Sequence, residues 1–171
     1  MDTPRFETET TREADLAWHY ETETVREIST TLNALLADLF TLFVKTKSFR
    51  WHASGPNFAS HYLMLGEQAN QLLEDLDLVA ERVRKIGGST IHSVEHVLRL
   101  ARLLGNDAEA ISPLDMLSEL RLDNRRLIEF LRDAHLICTD YVDIASASVL
   151  QTLIDNAEKR TWFLTETIRL T

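Results

Sequence analysis

Apolar residues in this chain recur at intervals of three and four over stretches far longer than a strand, and almost nothing interrupts them. Val25, Ile28, Leu32, Leu35, Leu36, Leu39, Leu42 and Phe43 make one such run, and Leu65, Leu72, Leu76, Val79, Val83 and Ile86 make the next. That period puts apolar side chains on one face of a helix; a half-buried strand needs a period of two. Across 171 residues there are only five Gly and three Pro, too few for the turns of a β fold. An all-α fold built from long helices is what remains.

The breaks divide the chain. Ser54-Gly55-Pro56-Asn57 ends a first helix running from about Thr22 to Arg50. Gly87-Gly88 stops a second, from about Phe58 to Ile86, with Arg84 and Lys85 where cations complement the C-terminal dipole. Residues 93–104 suit a short amphipathic helix closed by Gly105-Asn106. Ser112-Pro113-Leu114-Asp115 supplies a cap, a proline at the first turn and an acid three after the cap, so a third long helix starts there. It carries Leu117, Leu120, Leu127, Leu131 and Ala134 and fades near Thr139; a fourth runs from about Asp143 to Ile168. The pattern predicts an antiparallel four-helix bundle, with a short helix in the crossover between the second and third long helices. Residues 1–21 are acidic and aperiodic, and read as a mobile arm anchored by Trp18, His19 and Tyr20 ahead of one domain over 22–171.

Charge narrows the partners. A net charge of -9 argues against a general phosphate-binding surface, and residues 1–21 set only Arg5 and Arg12 against Asp2, Glu7, Glu9, Glu13, Asp15 and Glu21. DNA binding through a basic tail is not expected. The single Cys138 has no intrachain disulfide partner, no apolar segment follows basic residues at the N-terminus, and no uncharged run reaches a membrane span. The expected setting is a reducing cytoplasm, away from membranes.

Three motifs carry chemistry: W-H-A-S-G-P-N-F at 51–58, D-L-V-A-E-R at 77–82 and K-I-G-G at 85–88. Together they resemble the core signature of the Dps family, ferritin-like miniferritins that protect stressed bacteria, over residues from about 22 to 168. The resemblance implies a hollow homododecamer built from twofold dimers, iron as the substrate, and a ferroxidase site shared between two subunits. In the family that site takes a His at the end of the first helix, a His and an Asp four apart on the second, and an Asp and a Glu four apart further along. The corresponding positions here hold Arg50, Tyr62, Gly66, Asp77 and Glu81. Two acids are kept and three ligands are replaced.

Helix geometry bears on the same residues independently. At about 100° per residue, Tyr62, Gly66, Asp77 and Glu81 share one stripe, yet 62 and 81 lie about 28 Å apart along the axis. Two antiparallel copies crossing near position 71 or 72 would set 66 beside 77 and 62 beside 81. Arginine stays protonated and cannot ligate a metal. The expectation is that Arg50 takes the iron's place, as an inter-subunit ion pair with Asp77 and Glu81 of the other copy, while Tyr62 fills volume and Gly66 leaves a gap. The resulting reading is a stress-protection and iron-sequestration shell with a lost or impaired ferroxidase site. The alternative is an active ferroxidase with a relocated site using His52 or His61 with Glu67. No Glu-x-x-His pair occurs, so a di-iron site inside one bundle is not expected. The resemblance also implies acidic pores near the start of the last helix, where Asp143 keeps one acid and Ser148 replaces another.

Overall fold

The computed structural model describes residues 20–170; Trp18 and His19 lie outside the described residues. Five helices run in the order α1 (Thr22–Trp51), α2 (Phe58–Lys85), α3 (Val94–Leu100), α4 (Pro113–Asp140) and α5 (Ile144–Arg169), with no strand among the described residues. α1 packs along α2 and α4, and α5 closes the bundle against α4 and α2. Ser112, Pro113 and Leu114 line the same hollow as Ser54, Gly55 and Asn57, so the crossover from the end of α2 returns the chain to the end where α2 began.

The core comes from the periodic residues. Leu32, Leu35, Leu39, Leu42, Leu65, Leu72, Val79, Leu117, Leu120, Leu127, Leu150 and Leu153 are all essentially inaccessible. Helix ends follow the sequence chemistry. The Ser112 hydroxyl accepts the Asp115 N–H at 3.1 Å and donates to the Asp115 carboxylate at 2.7 Å. Gly87, at φ +89°, ends α2 with the Gly88 N–H donating to the Val83 carbonyl at 2.9 Å, the left-handed closure that glycine favours.

Polar residues on core-facing positions lock the bundle. Asp38 of α1 is wholly buried and accepts the backbone N–H groups of Arg102 (2.6 Å) and Leu103 (3.0 Å), and the Arg102 guanidinium at 2.6 and 2.8 Å. This fastens the crossover to the bundle, and Arg102 lies over the Phe130 ring, 3.8 Å from its centroid. It also shortens the crossover helix. The sequence predicts 93–104, but α3 ends at Leu100: the Ala101 amide still reaches the Val97 carbonyl, and Asp38 takes the amides of Arg102 and Leu103. Lys45 of α1, also buried, donates to Glu119 and Asp123 of α4, both at 2.7 Å. α1 is long and apolar enough to cross a membrane by length and composition alone. Ile28, Leu32, Leu35, Leu39 and Leu42 are nevertheless buried inside the bundle, together with the bonded charges of Asp38 and Lys45.

Candidate functional site

Arg50, Tyr62 and Gly66 meet in one place. α1 ends one residue beyond Arg50, and α2 begins a short turn later, so the last turn of the first helix faces the first turns of the second. The Arg50 guanidinium sits 4.1 Å from the centroid of the Tyr62 ring, a cation–π distance, and its Nε donates to the Tyr62 carbonyl at 3.2 Å. Phe58, one helical turn earlier, packs against the Tyr62 ring, 5.5 Å between ring centroids. Gly66 lies beneath Arg50. A Cβ there would come 2.9 Å from Nε and 3.0 Å from the guanidinium carbon. The place of Gly66 is therefore not the gap expected from the sequence; it is a notch filled by Arg50 of the same chain.

The two retained acids are exposed on α2. Glu81 accepts a hydrogen bond from Lys85 at 2.7 Å, and that bond, with the Lys85 charge, holds its carboxyl below the usual range. Such an exposed i,i+4 pair contributes little and exchanges readily for another cation. Asp77 has no ion pair among the described residues. Within one chain, then, the stripe carries a seated guanidinium toward one end and two carboxylates toward the other.

The alternative ligands do not converge. His61 is only 3% exposed, turned into the subunit, whereas Glu67 is exposed. His52 caps α1, its Nδ1 2.8 Å from the Ser48 carbonyl. Among the described residues no three His, Cys, Asp or Glu side chains gather at one point. Elsewhere, His92 stacks on His96 at 6.3 Å and His135 meets Gln151 at 3.2 Å.

Asp143, expected to line a pore, is instead a fully buried helix cap. It accepts from the Ser146 N–H and hydroxyl, from Arg82 at 2.8 Å and from the Tyr20 hydroxyl at 2.8 Å. Burial pushes its pKa up, and these hydrogen bonds with the Arg82 charge outweigh burial and leave it below the usual carboxylate range. Its negative charge is used inside the subunit. Ser148 is exposed, with Val142, Ile144 and Ala147 around the same hollow. The D-x-x-S spacing of a helix cap was the sequence signal for Asp143 that the pore reading passed over.

The polar feature that periodicity did not reveal is at the centre of the bundle. Arg160 of α5 is 2% exposed and donates to Asp75 at 2.8 Å, Gln71 at 3.0 Å and Asn124 at 2.9 Å, while Asn156 donates to the other Asp75 oxygen. This network ties α2, α4 and α5 together through one guanidinium.

With this geometry in view, the comparisons decide the family. The Ferritin-like domain description matches residues 29–171. The chain belongs to the ferritin-like family. A low temperature-induced protein of Nostoc sp. is 37% identical over 135 residues, covering 78% of this ferritin-like chain and 75% of the relative. A DNA protection during starvation protein of Brevibacillus brevis is 29% identical over 140 residues, 80% of this chain and 91% of that one. The crystal structure of a Dps protein from Bacillus brevis superposes with a TM-score of 0.83 at 28% identity, covering 87% of this chain and 99% of that one. The ferritin-like bundle expected from the sequence is thus the fold, and its relatives include Dps proteins.

Proposed function

We propose that this chain is a Dps-like shell subunit, acting in stress protection or iron sequestration in a reducing cytoplasm, whose inter-subunit oxidation site has been exchanged for a fixed cation. The observation that carries this reading is the Arg50 guanidinium lodged over Gly66 and against Tyr62. A divalent iron needs several imidazole or carboxylate donors converging on it. Here one position offers a permanent cation, one offers no side chain, and the aromatic ring of the third is covered by that cation. The residues present do not fit the family's five-ligand set.

The same geometry supports a pairing of two copies along α2. Among the described residues Arg50 makes one hydrogen bond, through Nε, so its two terminal nitrogens remain to meet an acceptor. Antiparallel copies crossing near position 71 or 72 bring Asp77 and Glu81 of one to Arg50, Tyr62 and Gly66 of the other. Leu63 and Leu73, 70% and 49% exposed on this side of α2, would be covered by that contact. A charge-assisted, bidentate Arg–carboxylate pair would then replace the metal bridge. Dodecamer assembly belongs to the same proposal, as does the absence of tail-mediated DNA binding.

The test is Fe(II) oxidation by peroxide or oxygen, followed by ferric absorbance. The unmodified protein is expected to match the buffer control, and Arg50→His with Tyr62→His and Gly66→Asp is expected to gain activity. An inert, folded triple variant counts against the interface, and rapid oxidation by the unmodified protein overturns the reading. A structure of the oligomer with Arg50 more than about 5 Å from both acids of its mate would remove the ion pair.

A further inference from the structure

A second site lies at the end of the bundle, in the hollow between the turn that joins α1 to α2 and the start of α4. The hollow holds about 300 Å³, and Ser54, Asn57, His61 and Ser112 are on its walls. No lining residue is acidic, in a chain whose net charge is -9. Two helices begin there, and they are served differently. α4 has the Ser112 hydroxyl on its Asp115 N–H and an acid in its first turn. α2 has neither: its N-cap, Asn57, makes no side-chain cap hydrogen bond, and its first turn holds no acid. The Phe58 and His61 amides reach the Gly55 and Asn57 carbonyls, which leaves those of Ala59 and Ser60 without an acceptor among the described residues. Such a helix start carries a partial positive charge and free donors pointing past its cap, the arrangement that binds phosphate.

His61 is an independent pointer to a ligand. The residue is only 3% exposed, and its ring makes no hydrogen bond among the described residues. Its nitrogens are not among the fully enclosed unpaired atoms, so they stay within reach of the hollow that the side chain lines. A polar ring buried without a partner is costly, and an anion oxygen in the hollow would accept its N–H. A tetrahedral anion offers several acceptor oxygens, enough to meet backbone amides, an imidazole and a hydroxyl together. We propose that this hollow binds a phosphate group, free or at the end of a small molecule, on the N-terminus of α2, the His61 imidazole and the Ser54 hydroxyl. At about 100° per residue His61 is turned away from the Tyr62 stripe, and Asn57 lies about 20 Å along α2 from the crossing near position 71. The hollow is therefore outside the contact proposed between copies, and it shares no residue with the Arg50 cluster.

Isothermal titration of the unmodified protein in a phosphate-free buffer, with chloride at matched ionic strength as the control, reads the binding. Inorganic phosphate is expected to bind and chloride to give only heats of dilution. Phenyl phosphate is titrated beside it: binding as tight as phosphate assigns the hollow to the terminal phosphate of a larger molecule, and weaker binding assigns it to the free ion. His61→Leu exchanges the unpartnered ring for an apolar side chain. It is expected to weaken phosphate by about tenfold without lowering the thermal midpoint of the unliganded protein. Asn57→Asp, at an exposed position, sets a carboxylate of the chain itself at the start of α2. It is expected to raise that midpoint and to weaken phosphate by about tenfold. Phosphate heats equal to those of chloride, or undiminished phosphate binding by either variant, would each overturn the assignment.

Discussion

Arg160 and Asp75 form a 2.8 Å ion pair in which neither side chain is more than 2% exposed. Burial draws the Arg160 pKa down and the Asp75 charge opposes that pull, so both charges depend on each other. Removing one partner leaves the other uncompensated, which costs about 3–5 kcal/mol, whereas replacing both with apolar residues costs far less. Asp75→Leu alone is therefore expected to lose about that amount in urea unfolding, and Asp75→Leu with Arg160→Met to recover much of it. A double variant as unstable as the sum of its parts would show the two residues to be energetically independent.

Val142 joins α4 to α5 at φ +57°, a left-handed conformation that a β-branched residue resists. The position closes α4 as a glycine ordinarily would, with the Val142 N–H on the Thr139 carbonyl at 3.0 Å and the Asp143 N–H on the Cys138 carbonyl at 2.8 Å. The side chain is 75% exposed, so little packing is lost with it. Val142→Gly is expected to stabilise the protein by about 1 kcal/mol, read as a higher thermal midpoint.

Gly88 is required for space, not for its backbone angle. A Cβ there would lie 2.0 Å from the Ser29 hydroxyl oxygen and 3.1 Å from a Val83 methyl. Gly88→Ala is expected to destabilise by about 1–3 kcal/mol in denaturant unfolding. Combining it with Ser29→Gly, which clears the obstructing atoms, should recover part of the loss.

The Asp143 cap makes stability fall in acid. Its folded pKa lies below the unfolded value, so its contribution is complete above an unfolded carboxylate pKa of about 3.9 and disappears as pH drops through the folded value. Asp123 works in the other direction: burial raises its pKa despite the Lys45 bond, so folding favours its protonated form, and its cost grows as pH rises above about 3.9. Asp143→Asn is expected to cost about 2 kcal/mol at neutral pH, with the gap to the parent closing below about pH 4. A gap that stayed constant with pH would show that the charge contributes nothing.

How much of this was readable beforehand differs between apolar and charged residues. Periodicity located the four long helices, and Ser112 and Gly87 marked their ends, because caps and stripes are local chemistry. The crossover helix came out shorter because a carboxylate sixty-four positions earlier in the chain, Asp38, captures the Arg102 amide, a contact no window along the sequence contains. Asp75 and Arg160 escaped notice because stripe counting skips polar residues; opposite charges at core-facing positions of two helices were the available signal. The three substituted positions were visible only through the resemblance to the Dps signature, which says where ligands would stand. That Arg50 would fold back into the Gly66 notch was not, since it depends on how α1 and α2 are set side by side.

The grip of Asp38 on Arg102 and Leu103 turns the connection over residues 86–112 into two separately tethered spans. Closure entropy grows only logarithmically, by about 0.6 kcal/mol per doubling of a loop. Residues 107–110, exposed and beyond the tether, are thus a natural splice point, where an added tag or extra segment should leave the helices on either side undisturbed.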